Sequence, residues 1–475
     1  MKRIHRILLL LLLIWILPGS LLWTGLYLPQ YYNDSYYAEL AAMRQRIRSI
    51  KGPRLIVLGN SDVAFGLDGA LLESLLSEKG FSYTVCPFGL YGAVGTSAML
   101  SLSEPELREG DLVVIVAEPV SKTLSGYFGA TAFWKCAESD PSLLLALNAD
   151  QRRAMLGNAI GFLQTRFAYR QSDTVPKAQG VYAKASFDDR CDLIYDRPGN
   201  TMPLGYDASQ PVTLSEVTVS EAFSGQIAAY CRTAERVGAN VCLSFSPLNR
   251  AALTDPDQIL PYYRRICEAF PCPVISDPNR YLLDSGWFYD SNFHLNSAGA
   301  ALRTLELARD LAAYFGCIEP IDCPLPKMPA PVYSVSESAG DEDAFTYAPI
   351  GDTAYLVEGL TAEGKERATL TLPALYKGKP VIGFAPSALS DTALKELTLP
   401  PSIETLPDGL FSFCPSLVRL VLTHTQKPCG VSQHTFDGAD RLRILVPSAA
   451  FPLYRDGYGC AQNPWEPFLN RIEPY

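Results

Sequence analysis

Two short stretches, far apart in the chain, hold residues that together could activate a hydroxyl group. The stretch "VLGNSDVAFGLD" contains Ser61, and the stretch "FYDSNFHLNSAGA" contains His294. An imidazole takes up and releases a proton near neutral pH, and a serine hydroxyl becomes a good nucleophile when such a base removes its proton. The chain has four histidines, of which His5 lies at the N-terminus and His424 and His434 lie far downstream. His294 is therefore the candidate base for the central part of the protein.

Each stretch also has a purely structural interpretation. Asn60, Ser61 and Asp62 are residue types that commonly form a turn after a strand. Asn296 or Ser297 can cap the helix expected after His294. Capping does not explain a histidine that is preceded by an acid four residues earlier, so a catalytic interpretation of the second stretch stays open beside the structural one.

The elements around these stretches alternate between short apolar runs and helical patterns. Such an alternation is typical of a parallel sheet covered by helices on both faces, and ligands bind at the carboxyl ends of its strands. Ser61 follows the first run and His294 precedes the last helix, so we expect both at this edge. The predicted strands are 54–59, 81–89, 111–119, 240–247 and 272–278, the predicted helices are 34–50, 68–80, 218–237, 257–269 and 297–315, and 120–215 is predicted to be an insertion.

The Gly-x-Ser turn, the glycines of "FGLYGAVGT" and the acid before the His-Leu pair resemble the SGNH (GDSL-like) hydrolases over about residues 53–316. Within that family the chain looks most like the membrane-anchored extracellular branch, which includes the D-alanyl-transfer protein of teichoic-acid modification and the alginate O-acetylation proteins. The resemblance implies a flavodoxin-like three-layer α/β sandwich with a parallel sheet.

The resemblance also implies roles for individual residues. Ser61 would be the nucleophile, His294 the general base and Asp290 the acid that orients the imidazole. The chain departs from the family in two places, because position 291, where the acid usually sits, is Ser, and because Glu118 follows strand three where an Asn is usual. The residues expected to bind the oxyanion or the substrate are Gly89 or Gly92, Asn60 and Asn249.

The N-terminus predicts a membrane anchor. Basic residues precede an uncharged run of 22 residues, Ile7–Leu28. As a helix this run would be roughly 33 Å long, enough for a bilayer core. A cleaved signal peptide is the alternative, because Pro18-Gly19-Ser20 could end a shorter apolar core. We expect residues 1–29 to be an uncleaved single-pass anchor, 30–52 to be a juxtamembrane helix, and the rest of the chain to be extracellular.

Composition excludes some classes of protein. A net charge of −10 argues against a nucleic-acid partner. The twelve cysteines are scattered and form no zinc-binding pattern. We predict no metal and no cofactor. Cys267/Cys272 and Cys317/Cys323 are close enough in sequence to form disulfides in an oxidising compartment, and buried free thiols are the alternative for most of the others.

The C-terminal region changes character. Residues 317–344 are rich in proline and then acidic, as in a linker. Residues 345–475 contain a leucine pattern that repeats after 23 residues and resembles the BspA-type leucine-rich repeats of bacterial surface proteins over about 345–450. Such a module either caps and spaces the first domain or binds a ligand. The leucines of the pattern are Leu394, Leu397 and Leu399, then Leu417, Leu420 and Leu422, then Leu442 and Leu445, which lie 25 residues beyond Leu417 and Leu420.

Two functions are compatible with this sequence. The first is a membrane-tethered extracellular esterase or O-acyltransferase that uses a Ser-His-Asp mechanism on acyl groups of a surface polysaccharide or teichoic-acid-like polymer, with a membrane-bound O-acyltransferase as a possible partner. The second is an inactive surface protein that uses its repeats for adhesion. The presence of both Ser61 and His294 favours the enzyme.

Overall fold

The structure, a computed structural model, divides into two compact units. The first consists of Met1–Pro198, Val212–Trp287 and Phe293–Met328, and the second of Gly199–Pro211, Phe288–Asn292 and Pro329–Tyr475. The residues that the structure describes are 19–20, 22–172, 178–202, 205–207, 210–317, 319–329, 340–351, 354–390, 392–424, 428–456 and 463–475.

The predicted anchor falls largely outside the described residues. Of the run Ile7–Leu28, only 19–20 and 22–28 are described, and 22–27 are helical. None of the helices in the described ranges has both the length and the apolar character needed to cross a bilayer.

The first unit is an α/β fold around a parallel sheet, as predicted. Its four strands are ordered β2-β1-β3-β4, and all neighbouring pairs are parallel. Every residue of β1 and β3 is buried, which explains their continuous apolar sequence. The strands are β1 (Arg54–Gly59), β2 (Thr84–Gly89), β3 (Leu112–Ala117) and β4 (Asn240–Phe245), and a separate parallel pair is formed by β5 (Leu248–Asn249) and β6 (Leu282–Leu283).

The strand predicted at 272–278 is reduced to a single bridge. Val274 bridges Leu243 of β4 in parallel fashion. Prolines at 273 and 278 cannot donate a backbone hydrogen bond, so they shorten this edge.

Helices cover both faces of the sheet. Helix α3 connects β1 to β2, and helix α4 connects β2 to β3. In the strand order β2-β1-β3-β4 these two connections run in opposite directions across the sheet. Because such crossovers are right-handed, α3 and α4 lie on opposite faces of the sheet. Side chains of α3 and α10 share one buried cluster with the strands. The helices of the first unit are α1 (Glu39–Ser49), α2 (Ser61–Gly66), α3 (Gly69–Glu78), α4 (Thr96–Ser103), α5 (Ala130–Ala137), α6 (Leu143–Ala146), α7 (Ala149–Ser172), α8 (Glu221–Val237), α9 (Ile259–Ala269) and α10 (Ser297–Tyr314).

The segment before β1 is tightly packed in the first unit. Leu40, Met43 and Ile47 of α1 are fully buried. The hydroxyl of Tyr36 donates a hydrogen bond to the backbone oxygen of Leu90. Helix α1, predicted as a juxtamembrane helix, is therefore part of the α/β domain.

The second unit has two further sheets. One has the order β10-β11-β8-β7, and the other, which is parallel throughout, has the order β15-β14-β13-β12-β9. The elements are β7 (Phe345–Ile350), β8 (Ala354–Leu360), α11 (Ala362–Glu366), β9 (Thr369–Thr371), β10 (Leu375–Tyr376), β11 (Lys379–Phe384), β12 (Glu396–Leu399), β13 (Arg419–Leu422), β14 (Arg443–Val446), α12 (Phe451–Asp456) and β15 (Ile472–Pro474).

The predicted leucine pattern corresponds to β12 and β13 but slips by one residue at β14. Leu397 pairs with Leu420, and Leu420 pairs with Ile444 rather than with Leu445. Ile444 is buried, whereas Leu445 is half-exposed on the other face of the strand. The offset is therefore 24 residues at this step, and the predicted alignment of Leu445 with Leu420 was wrong by one residue. Adjacent residues of a strand point to opposite faces, so Ile444 takes the buried position.

No disulfide bond joins two of the eleven cysteines in the described part of the chain. Neither predicted pair, Cys267/Cys272 or Cys317/Cys323, is bonded.

Candidate functional site

Ser61 lies at the carboxyl edge of the parallel sheet. Strand β1 ends at Gly59, and Ser61 is the first residue of the short helix α2. The Asn60 backbone oxygen accepts a hydrogen bond from the Val63 amide (3.1 Å), which closes the turn. Ser61 is partly exposed.

The ring of His294 stacks on the ring of Phe65, which belongs to helix α2. The ring centroids of His294 and Phe65 are 3.9 Å apart, and the two planes differ by 10°. Phe65 follows Ser61 by four residues, and residues at this spacing lie on one face of a helix. The structure therefore brings the imidazole to the helix that begins with Ser61.

A buried arginine connects the two segments. Arg197 Nη2 donates to the Phe65 backbone oxygen (3.5 Å), and Arg197 Nε donates to the Leu295 backbone oxygen (3.1 Å). The Arg197 amide also bonds with the Ser297 hydroxyl (2.9 Å) at the start of α10. Arg197 thus fixes the residues next to His294 against helix α2.

The segment after His294 is held by a helix cap. Asn296 Oδ1 accepts a hydrogen bond from the Gly299 amide (2.9 Å), and Asn296 Nδ2 donates to the Gly286 oxygen (2.7 Å). Of the two predicted caps for α10, Asn296 is confirmed as the N-cap.

A buried polar cluster lies directly behind Ser61. Asn60 Nδ2 donates to Thr96 Oγ1 (3.0 Å) and to Glu118 Oε2 (3.2 Å). Asp62 Oδ1 accepts from the Asn60 amide (2.9 Å). These side chains are almost completely buried, and they tie together the carboxyl ends of β1 and β3.

The two carboxyl groups of this cluster resist ionisation. Burial, and then the charge of Asp62, raise the pKa of Glu118 to about 8. Burial also raises the pKa of Asp62 above its ordinary value. Both shifts follow from the cost of placing charge in a poorly solvated site. Burial therefore favours the protonated form of Glu118.

Arg303 of α10 is a buried cation whose charge acts on Asp62 of this cluster. Its guanidinium lies 5.8 Å from the centre of the Tyr281 ring, and none of its nitrogens hydrogen-bonds to a described residue. Burial lowers the pKa of Arg303, whereas the carboxyl groups of Asp62 and Asp310 oppose this shift. The Asp62 carboxyl and the Arg303 guanidinium therefore each favour the charged form of the other.

We expect the Glu118→Gln variant to lose less stability than the wild type as the pH rises from about 4.5 to about 8. A carboxyl with a raised pKa keeps its proton in the folded state after the unfolded chain has lost it, so stability falls as the pH rises from about 4.5 to about 8. The slope from one such group is at most about 1.4 kcal/mol per pH unit. Thermal unfolding at pH 5, 6.5, 8 and 9 measures this slope.

Glu78→Gln is the matched control, because Glu78 is exposed on α3. The control should follow the wild type at every pH. If Glu118→Gln also follows the wild type, the Glu118 carboxyl does not hold its proton in the folded state.

The two glycines predicted to bind an oxyanion differ in their surroundings. A Cβ atom on Gly89 would lie 2.6 Å from the Asn60 backbone oxygen, whereas one on Gly92 would meet no atom within 4 Å. Gly89 pairs with Gly59 at the ends of β2 and β1. Only a glycine at 89 allows this approach to the turn that carries Ser61.

Asn249 and Asp290 are placed differently. Asn249 is fully buried, and its Oδ1 accepts from the Ala251 amide (3.1 Å) and the Ser285 hydroxyl (3.0 Å). This is a capping arrangement, and a substrate contact stays a prediction. Asp290 belongs to the segment Phe288–Asn292 of the second unit, where it is half-buried. Its role as the third catalytic residue also stays a prediction.

A small cavity lies at the ends of β3 and β4. Its volume is about 20 Å³, and its lining includes Ala117, Phe245 and Tyr262. The Tyr262 hydroxyl is buried and finds no hydrogen-bond partner among the described residues. The cavity has room for about one water molecule. This cavity is therefore too small for an organic ligand.

Comparison with protein-family models gives no match, and comparison with curated proteins gives none either. Within the described ranges, no three His, Cys, Asp or Glu side chains are grouped as a metal site would require.

Sequence reasoning missed three residues of this site. Phe65 looked like an ordinary core residue, Arg197 lies in the insertion, and Arg303 lies within a helical pattern. A charged residue in an otherwise apolar helix face, as at Arg303, was the one available signal. The contacts of Phe65 and Arg197 depend on long-range packing that no local pattern encodes.

Proposed function

We propose that the first unit is a membrane-tethered, extracellular serine esterase or O-acyltransferase of SGNH type. The observation that carries this proposal is the stacking of His294 on Phe65, which brings an imidazole to the helix that begins with Ser61. The strand order β2-β1-β3-β4 agrees with the start of a flavodoxin-like sheet. Ser61 lies at the edge of this sheet where ligands bind.

In the proposed reaction Ser61 attacks an acyl ester. The imidazole of His294 takes the hydroxyl proton as Ser61 Oγ bonds to the carbonyl carbon, and the carbonyl oxygen becomes an oxyanion. Collapse of this intermediate breaks the ester bond, and the leaving alkoxide takes the proton from His294. Water or a polymer hydroxyl then attacks the acyl-enzyme through the same steps in reverse order.

The buried cluster supports this reaction by positioning. Asn60 joins the Ser61 turn to β3 through Glu118, and Gly89 allows β2 to approach the same turn. Backbone amides at Ser61 and Gly89 are the proposed oxyanion donors. Asp290 is the proposed orienting acid, as the family resemblance implies.

We further propose that the parallel ladder of the second unit is a leucine-rich-repeat module. Its strands carry charged side chains on their exposed face, among them Glu396 and Arg419, which form an ion pair of 3.2 Å. The proposed partners are a cell-surface polysaccharide or a teichoic-acid-like polymer as acyl acceptor, and a membrane-bound O-acyltransferase as acyl supplier. The proposed location is the cell membrane, with the bulk of the chain outside.

A fluorophosphonate that reacts with activated serines tests the proposed function. We expect one adduct, located on Ser61 by mass spectrometry of the digested protein, because only a serine beside a base is strongly nucleophilic. Ser61→Ala should abolish the adduct, and Ser77→Ala, which changes an exposed serine of α3, should not. If Ser61 stays unlabelled while the protein is folded, the alternative of an inactive adhesion protein is preferred.

A further inference from the structure

Helix α7 of the insertion has two apolar faces. One face, which includes Met155, Phe162 and Tyr169, is buried in the domain. The other is exposed, although its residues are large and apolar. The exposed side chains are Leu156 (75% exposed), Ile160 (60%) and Phe167 (61%).

The exposed residues form a continuous stripe. Leu156, Ile160 and Phe167 lie four and then seven residues apart, which places them on one side of a helix, and the half-buried Leu163 fills the interval. An open groove of about 490 Å³ runs along this side, and it is lined by Ile160, Leu163, Gln164, Phe167 and Ala168.

The stripe adjoins the end of the N-terminal apolar run. Arg166 Nε donates a hydrogen bond to the Gly25 backbone oxygen (2.9 Å), and a Cβ atom on Gly25 would lie 2.9 Å from Leu163 Cδ2. The Tyr27 ring meets the Trp134 ring edge-on, with centroids 6.2 Å apart. The last residues of the apolar run are therefore packed against the helix that carries the stripe.

Exposed apolar side chains are concentrated at this place. Sixteen large apolar residues are exposed in the described part of the chain, and seven of them lie on these two neighbouring segments and on α6, the short helix before α7. Exposed apolar side chains grouped on neighbouring segments are typical of a contact with protein or lipid. The seven residues are Leu22, Trp23, Leu28, Leu145, Leu156, Ile160 and Phe167.

The sequence of the chain indicates that lipid covers this stripe. The 22-residue uncharged run Ile7–Leu28 ends beside the stripe, so a bilayer that receives the run also meets α7. Three exposed arginines, Arg152, Arg153 and Arg170, lie on the same helix. Basic side chains beside an apolar stripe are typical of helices that lie in the headgroup region.

We infer that α7 is an interfacial helix, with Leu156, Ile160 and Phe167 inserted into the outer leaflet of the membrane that holds the N-terminal run. This inference rests on the membrane location in the proposed function, but not on catalysis by Ser61. It gives the first unit a second membrane contact beside its anchor.

Photocrosslinking from single positions of the full-length protein, in its own membrane, tests the inference. Benzoylphenylalanine replaces Ile160 or Phe167 in the stripe, and Thr165, which is exposed on the opposite side of α7, is the matched control. After irradiation, mass spectrometry of the digested protein counts lipid adducts at each position. We expect roughly tenfold more lipid adduct at 160 and 167 than at 165, because the apolar face of such a helix is immersed and the opposite side is in water.

Other outcomes overturn the inference. Crosslinks from 160 and 167 to a second copy, to residues 1–21 of the same chain or to another protein would identify a different occupant. Equal lipid adducts at all three positions would show random collision. A mature N-terminus near residues 21–29 with the protein free of the membrane would remove both the anchor and the contact. Phosphonate labelling of Ser61 in the same samples reports separately on the catalytic proposal.

Discussion

Replacing Ser61 with alanine is expected to lower kcat on a small acyl ester by roughly a thousandfold or more, and His294→Ala should cause a loss of similar size. Each change removes one half of the pair that forms the acyl-enzyme, because the hydroxyl is a weak nucleophile without its base. Steady-state kinetics of the purified protein with a chromogenic acetate ester measures both losses.

The double variant distinguishes a working pair from two independent residues. We expect Ser61→Ala combined with His294→Ala to stay within about threefold of the more damaging single change, because residues that act as a unit are not additive. Ser77→Ala and His434→Ala, both at exposed positions, are the controls and should keep full activity. Multiplicative losses, or a normal rate after either single change, would contradict the proposed mechanism.

Glu138→Ala is expected to destabilise the first unit by about 3–5 kcal/mol, because it leaves a buried charge without its partner. Glu138 and Arg166 form an ion pair whose side chains are 0% and 3% exposed. The Glu138 carboxylate also accepts hydrogen bonds from the backbone amides of Tyr31 (3.0 Å) and Tyr32 (2.6 Å). Hydrogen exchange measures the change, because it follows the two units separately.

An exposed ion pair provides the control for this prediction. Asp150 and Arg153 are 2.9 Å apart, and their side chains are 89% and 80% exposed. Asp150→Ala should cost less than about 1 kcal/mol. Combining Glu138→Gln with Arg166→Met should restore part of the stability lost in Glu138→Ala, because no buried charge then remains unpaired. A loss below about 1 kcal/mol in Glu138→Ala would show that water reaches Arg166.

Much of the first unit could be predicted because its local patterns are strong. Strand β1 has the predicted bounds, since a buried parallel strand must be apolar along its whole length and Gly59 ends it. Helix α10 begins after Asn296, a residue type that favours the cap. The edge strand predicted at 272–278 is shorter than expected. The prediction relied on the apolar character of this segment and did not account for its prolines, which cannot donate backbone hydrogen bonds to the sheet.

The relation between distant residues was harder to predict. The sequence indicated that Ser61 and His294 share one edge of the sheet, but it did not indicate that His294 stacks on Phe65 or that Arg197 holds both segments. In the second unit a change of one residue in the repeat length exchanged Leu445 for Ile444 in the core. Such details depend on side-chain packing across hundreds of residues, and a periodic pattern does not contain them.

The Glu138–Arg166 pair has a mechanical consequence for a tethered enzyme. Arg166 donates hydrogen bonds to the backbone oxygens of Gly25 and Pro29, and Glu138 accepts hydrogen bonds from the backbone amides of Tyr31 and Tyr32. The chain is therefore fixed to the domain where it leaves the apolar run. A flexible stalk would let the catalytic edge search a large volume of the cell envelope. Without such a stalk, in the proposed anchored state, the sheet edge that carries Ser61 stays at a fixed distance from the membrane surface. The enzyme then acts only on acyl groups presented at that distance. Elongating the chain upstream of Gly25 would leave this distance unchanged for as long as α7 rests on the lipid.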